Sequence, residues 1–349
     1  MRVLITGGNG FLGRHLVASL LERGASVQVL ALPNEDTTGL ADRDVAVFRG
    51  DILRPDTLTA PTAGVDCVFH LAAMLGIWAS LEDYSAVNVQ GTANVCRATL
   101  RADVGRMIHV SSAMVYDMAG LQPATEDDRL SPLSEPYSLS KAHGDLLVQR
   151  LIREQELPAV IIRPGTLIGP GDVLNFGRMA SRVRAGKGII IGNGNNAIPL
   201  FSIEDMVQGL ILAMESDRAV GESFNIGHDE PLTQAQYLAL IADEMNVRPP
   251  WVRVPYAPLY AAAYLAERVA KASGNRMSPF LTRHGVKLYG ADNRMSIDKA
   301  RRELGYAPRV SVRDAVIAAC GCCDLSEAAA LSATIATADA TAGETTIRW

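Results

Sequence analysis

What the chain does without narrows its class. No stretch of it reaches the roughly 18–20 uninterrupted apolar residues that a membrane-spanning helix needs, so no span is expected. No long run of lysine and arginine is present and the net charge is −5, which argues against nucleic acid as the main partner. The five cysteines, Cys67, Cys96, Cys320, Cys322 and Cys323, contain no C-x-x-C pair of zinc spacing, so no metal site is expected. Cys67 and Cys96 stand in apolar surroundings and read as core thiols. The Cys320, Cys322 and Cys323 cluster has no histidine or second pair beside it. No internal repeat is visible. Met1 runs straight into an apolar segment and leaves no room for a signal peptide, so a cytoplasmic location is expected.

What is present is material for a core. Hydrophobic residues make up 48% of the 349 and charged residues 20%, enough for one large α/β domain with an appended lobe, or for two domains. The chain opens MRVLITGGNGFLGR. Val3, Leu4 and Ile5 suit a buried parallel strand. A glycine turn follows, and then Phe11, Leu12, Leu16, Val17, Leu20 and Leu21 recur at helical spacing. Gly7, Gly10 and Gly13 form G-x-x-G-x-x-G between strand and helix. Without side chains, they let backbone N–H groups and a helix N-terminus approach a pyrophosphate.

Further strands are expected over 26–30, 45–48, 65–71, 106–110 and 159–162, with helices over 81–102 and 137–156. This alternation predicts a doubly wound parallel sheet, whose ligands sit beyond the carboxyl ends of its strands. After residue 165 the pattern loosens. Helices are expected over 173–185, 204–214, 233–245, 257–271, 296–304 and 312–323, and a seventh strand over 223–226. Residues 1–165 therefore read as the dinucleotide-binding domain, with segments near 199–227 returning to it. Residues 166–198 and 228–324 read as a smaller, mostly helical substrate lobe, and the Ala/Thr-rich 325–349 as a mobile tail.

Tyr137 and Lys141 stand four residues apart, on one helix face. A phenol titrates near pH 10 and is a poor acid or base at neutrality. A neighbouring ammonium lowers that value and makes proton transfer practicable. Ser111 and Ser112 end the fifth strand, where a hydroxyl can hold a substrate oxygen beside the tyrosine. His70 and His109 lie on strands and read as core.

The segments TGGNGFLG (6–13), GDI (50–52), HLAA (70–73), NVQGT (88–92), HVSSAMVY (109–116), YSLSK (137–141), RPGTLIGPGD (163–172), FSIEDM (201–206), FNIG (224–227) and KARRELGYAP (299–308) occur in that order. With them the chain resembles the extended branch of the short-chain dehydrogenase/reductase superfamily, over about residues 1–316. The resemblance implies a Rossmann-type α/β fold and an NAD(P)-dependent enzyme. It implies Tyr137 as general acid/base, Lys141 as the residue that tunes it and bonds the nicotinamide ribose, and Ser112 as the substrate-orienting serine with Ser111 beside it. Gly7, Gly10, Phe11, Leu12 and Gly13 would hold the pyrophosphate. Asp51 and Ile52 would border the adenine, Ala72 and Ala73 would line the cofactor, and Pro164 would bracket the nicotinamide. Asn88 is expected to tie helix to sheet. A homodimer is also expected from the resemblance.

Two departures from the branch matter. The second strand usually ends in an acid for NAD or near an arginine for NADP, but here it ends in Ala31 and Leu32. Glu35 and Asp36 come slightly late and would have to reach back from the loop. The missing carboxylate inclines the reading towards NADP(H). Sugar-nucleotide enzymes of the branch usually carry an asparagine after the sixth strand and an arginine after a later glycine turn. Here Arg163-Pro-Gly-Thr166 and the stretch 192–201 offer neither anchor. Met74, Leu75 and Trp78, with Met114, are expected to line an apolar pocket, while Trp251, Tyr256, Leu259, Tyr260 and Tyr264 read first as core. The expectation is a ketoreductase or secondary-alcohol dehydrogenase for a hydrophobic, cyclic small molecule, nearest the 3β-hydroxysteroid dehydrogenase and dihydroflavonol reductase side. The alternatives are a sugar-nucleotide 4-epimerase or dehydratase and, in another class, a cofactor-bound sensor without turnover.

Overall fold

A computed structural model describes residues 1–41, 43–76, 78–117, 122–272 and 281–322. Its strands are β1 (Arg2–Thr6), β2 (Ser26–Ala31), β3 (Val45–Arg49), β4 (Cys67–His70), β5 (Arg106–Val110), β6 (Ala159–Pro164), β7 (Thr166–Ile168), β8 (Ile190–Ile191), β9 (Leu200–Ser202), β10 (Ser223–Ile226) and β11 (Arg253–Val254). Seven of them form one sheet in the order β10-β6-β5-β4-β1-β2-β3, with every pairing parallel. Val3, Leu4 and Ile5 have no exposed surface, as a strand covered on both faces requires.

The strand order reverses at β1, which has β2 on one side and β4 on the other. The connections after β1 and β4 therefore leave in opposite directions and open a crevice at their carboxyl ends. One face of the sheet packs Val3, Ile5, Phe69 and Ile108 against Leu16 and Leu20 of the first helix and Met206 and Leu210 of the Ile203–Glu215 helix. The other face packs Leu4, Val68, Met107 and Ile161 against Val95 and Cys96 of the Thr92–Arg101 helix and Val148 and Leu151 of the Pro136–Gln155 helix. A third core gathers Phe176, Tyr237, Ile241 and Val316 in the helical C-terminal region.

Most expected elements are present, and the differences have physical causes. The helix expected over 81–102 is Leu81–Ser85, then a π-helical turn at Ala86–Gly91, then Thr92–Arg101. The wide turn falls where the Asn88 side chain holds a neighbouring loop and where Gly91 lies against Ile52. The expected 173–185 helix likewise starts as a π turn, Val173–Gly177, whose N–H groups are capped by Asp172. The short pairs β7–β9 and β8–β11 were not expected, because two or three residues carry no readable period. The Arg283–Gly290 helix was not expected either. Trp251 is 83% exposed, which corrects its reading as core; Tyr264 is also exposed. Cys323 and the 325–349 segment lie outside the described residues.

Candidate active site

The glycine turn is shaped by close approach. Gly7 has φ +75°, and a Cβ there would lie 2.9 Å from the Ala72 nitrogen at the end of β4. A Cβ on Gly13 would run into the Gly7 carbonyl and stand 2.6 Å from the Gly8 carbonyl carbon. Gly10 caps the Phe11–Glu22 helix with extended backbone and no side-chain hydrogen bond, so the first N–H groups of the helix face the crevice. Phe11 and Leu12 are partly buried in that first turn. The buried Asn9 Oδ1 and Ser111 Oγ have no hydrogen-bond partner among the described residues. A cradle that a Cβ would fill and a helix end without a side-chain cap fit a bound dinucleotide pyrophosphate.

The rim next to this turn differs from what its sequence alone suggests. After β2 the chain doubles back, and Glu35 comes to lie against the glycine turn. Its Oε1 accepts from Asn9 Nδ2 at 3.0 Å and its Oε2 from the Leu32 N–H at 3.0 Å. Asn9 Nδ2 also donates to the Asp36 carbonyl. Arg49, at the end of β3, fastens the same loop by donating to the carbonyls of Leu32 and Glu35 and to the Thr37 hydroxyl. A carboxylate therefore stands beside the end of β2 although Ala31 and Leu32 carry no charge.

Asp51 folds its own turn by accepting from the Leu53 N–H at 2.9 Å, and Ile52 is buried against Gly91. Ala72 and Ala73 follow β4 and are partly buried. Pro164 ends β6 and is buried.

Ser112, Tyr137 and Lys141 meet at the carboxyl end of β5. Glu135 starts the Pro136–Gln155 helix by accepting from the N–H groups of Tyr137 and Ser138, which fixes where Tyr137 leaves the backbone. Lys141, one turn on, donates from Nζ to the Val110 carbonyl at 2.7 Å. Burial pushes its ammonium from 10.5 down to about 8, against the pull of Asp145. Burial also raises the Tyr137 phenol above its ordinary value; its hydrogen bond with Ser112 pulls it down and the Glu135 charge pushes it up. In the chain by itself burial outweighs the bond to Ser112.

A polar layer supports this cluster. Thr92 donates to the Asn88 carbonyl and so accepts from His70 Nε2, at 2.9 Å. His70 Nδ1 then accepts from the Thr6 hydroxyl at 2.8 Å. Burial drives His70 down to about 3. His109 stacks on it with ring centres 5.4 Å apart; burial, and then the Lys141 charge, hold it well below the usual range. Both histidines are core residues, as expected. Asn88 accepts from the Met74 N–H and donates to the Met74 carbonyl and to Ser140, tying loop to helix. Arg163 forms a buried ion pair with Asp145 and donates to Tyr116. Burial raises the Cys67 and Cys96 thiols to about 12, in keeping with core positions.

Of the expected pocket residues, Met74 is buried, Leu75 is exposed and Trp78 is partly buried. Met114 is buried in a cluster that includes Tyr137, Leu288 and Met295. The sequence reading missed His284, whose ring stands edge-on to Tyr137 with centres 5.8 Å apart. Tyr84 packs edge-on to the same ring at 6.3 Å. His284 comes from the Arg283–Gly290 helix, almost 150 residues further along the chain, and no local signal points to the contact.

Known proteins resemble the chain over most of its length. Residues 3–227 match the family described as NAD dependent epimerase/dehydratase. The 2-alkyl-3-oxoalkanoate reductase of Stenotrophomonas maltophilia (strain K279a) is 30% identical over 325 residues, covering 90% of this chain and 97% of that one. The sterol-4-alpha-carboxylate 3-dehydrogenase, decarboxylating, of Mus musculus is 31% identical over 329 residues, covering 89% and 88%. Among solved structures, DesIV, the dTDP-glucose 4,6-dehydratase of Streptomyces venezuelae, has NAD bound. It matches with a TM-score of 0.74 at 26% identity, covering 92% of this chain and 96% of that one. Among the described residues, no helix is long and apolar enough to cross a membrane.

Proposed function

The chain belongs to the NAD dependent epimerase/dehydratase family and is an NAD(P)-dependent oxidoreductase, and we propose that it interconverts a ketone and a secondary alcohol on a hydrophobic small molecule. The observation that carries the reading is the convergence at the carboxyl end of β5: Ser112 follows that strand, Lys141 donates to its last carbonyl, and Tyr137, one turn before Lys141 on the same helix, packs with Ala113 and Met114. When bound, the nicotinamide supplies or accepts the hydride at the carbinol carbon. Ser112 donates to the substrate oxygen and holds it against Tyr137. The Tyr137 hydroxyl gives its proton to that oxygen in reduction and takes it back in oxidation. Lys141 holds positive charge beside the phenolate formed in the first case.

The two relatives also narrow the substrate. In a 2-alkyl-3-oxoalkanoate and in a sterol-4-carboxylate oxidised at carbon 3, an acid group sits on the carbon next to the reacting one. A 3-oxo or 3-hydroxy acid with an apolar 2-substituent is the substrate class this supports. A sugar-nucleotide substrate is less well supported. Arg163 is held in a buried ion pair, and the stretch 192–201 has no cation to meet a diphosphate.

The adenosine end favours NAD(H). Glu35 keeps lone pairs free to accept from two ribose hydroxyls and would repel a 2′-phosphate.

Tyr137→Phe tests the assignment. Turnover should fall by about a thousandfold or more, while NADH affinity, read by fluorescence titration, stays within about twofold. Near-normal turnover would remove Tyr137 from its role. Tight binding of UDP or dTDP to the unaltered protein would instead favour the epimerase or dehydratase reading.

A further inference from the structure

The basic side chains near Tyr137 differ in what they have left to offer a ligand. Lys141 donates to the Val110 carbonyl, Arg163 pairs with Asp145, and Lys287 pairs with Asp117 at 2.6 Å. Arg283 gives its backbone N–H and its Nε to the two oxygens of Glu267, and its Nη1 and Nη2 to Ser134. His284 is different. Its Nδ1 lies 3.4 Å from Glu135 Oε1, while its Nε2 makes no hydrogen bond among the described residues. The side chain is 32% exposed although its ring packs on the Tyr137 ring.

The ring is also held in place. Arg283, next in the chain, fastens the start of its helix to Ser134, and Thr282 caps that helix by accepting from the Gly285 N–H. Glu135 is itself fixed as the cap of the catalytic helix. Burial would raise its carboxyl, but the contact with His284 and the bonds from Ser138 outweigh this and hold it below the usual range. Glu135 therefore presents a negative charge to Nδ1. With Nδ1 facing Glu135, Nε2 is the ring nitrogen left for a ligand beside the Tyr137 ring.

We propose that His284 is a specificity-determining residue that donates from Nε2 to the carboxylate of a 3-oxo or 3-hydroxy acid whose reacting oxygen is held by Ser112 and Tyr137. The inference rests on the ketone and alcohol reading given above and deepens it. The geometry gives His284 a task distinct from that of Tyr137. Proton transfer occurs at the carbinol oxygen, whereas His284 binds a group that does not react. Its contribution is then made equally to bound substrate and transition state and appears mainly in KM. An ester or amide of the same acid keeps the reacting centre and loses the charge, so it should gain little from the ring.

The test compares a 2-alkyl-3-hydroxyalkanoate with its methyl ester as substrates for NAD-dependent oxidation. The hydroxy acid is used because 3-oxo acids lose carbon dioxide on standing. The unaltered enzyme should prefer the acid by about tenfold or more in kcat/KM, as expected for a charge-assisted hydrogen bond. His284→Phe, which keeps a ring against Tyr137, should lose about ten- to hundredfold on the acid, mostly in KM, and stay within about twofold on the ester. His284→Gln, which keeps a neutral donor, should recover part of the loss. NADH affinity should not change in either variant. Equal losses on acid and ester would make His284 a mere packing partner of Tyr137 and overturn the proposal. So would an unaltered enzyme that does not distinguish the two substrates, and in that case the ketone and alcohol reading would survive. Failure of the unaltered enzyme to oxidise either compound while still binding NADH would count against both.

Discussion

The stacked pair His70 and His109 ties stability to pH in a way that can be measured. Both rings are buried and neutral in the folded chain, His70 with its value lowered to about 3 and His109 well below the ordinary 6.5. In the unfolded chain each titrates near 6.5. As pH falls below that, the unfolded state takes up protons that the folded state refuses, so stability contributed at neutral pH is lost from about pH 6.5 down towards pH 3. Each histidine costs RT ln(1 + 10^(6.5 − pH)), about 2 kcal/mol at pH 5 and thus roughly 4 for the pair. The carboxyl of Asp172 works in the opposite direction, because burial raises it to about 6. A single pH profile therefore mixes terms, and a variant must separate them. His109→Leu is suitable because neither ring nitrogen has a hydrogen-bond partner, so the change strands no other group. At pH 7.5 it should stabilise the fold by about 1–3 kcal/mol by removing unsatisfied buried polar atoms. Between pH 6 and pH 5 its urea-unfolding free energy should fall less steeply than that of the unaltered protein, by about 1 kcal/mol over that unit. Identical slopes for the two proteins would show that His109 becomes protonated in the folded state and would refute the argument.

Glu35→Ala removes the carboxylate that stands beside the end of β2. NADH binding, followed by fluorescence titration, should weaken by about tenfold while NADPH binding improves. Unchanged affinities for both would take Glu35 out of the ribose site. Asp145→Asn leaves the Arg163 guanidinium buried without its counter-charge, which should cost about 3–5 kcal/mol in urea denaturation. A cost below about 1 kcal/mol would mean that Tyr116 and the Glu126 carbonyl, the other acceptors around Arg163, are enough to hold it.

The parts that could be read from the sequence share one property: their signal lies within a few neighbouring residues. Val3 to Ile5 gives a buried strand by composition, Gly7 to Gly13 a turn by the absence of side chains, and Tyr137 with Lys141 a helix face by spacing. Contacts that depend on how a loop returns leave no such signal. Glu35 reaches the end of β2 because Asn9, Leu32 and Arg49 hold the loop from three sides, and no pattern within positions 31–36 encodes that path. The Arg283–Gly290 helix was hidden for a related reason. Its eight residues include Gly285 and Gly290, which weaken its helical pattern, and its place is set by Arg283 bonding across 149 positions to Ser134. The fold and the tyrosine–lysine pair are thus local in sequence, whereas Glu35 is placed by the path of a loop and His284 comes from a distant segment. Closely similar glycine turns and tyrosine–lysine helices can therefore serve different substrates when only the returning segments differ. For this chain, the residues to vary when specificity is in question are Glu35 and His284, not those of the glycine turn.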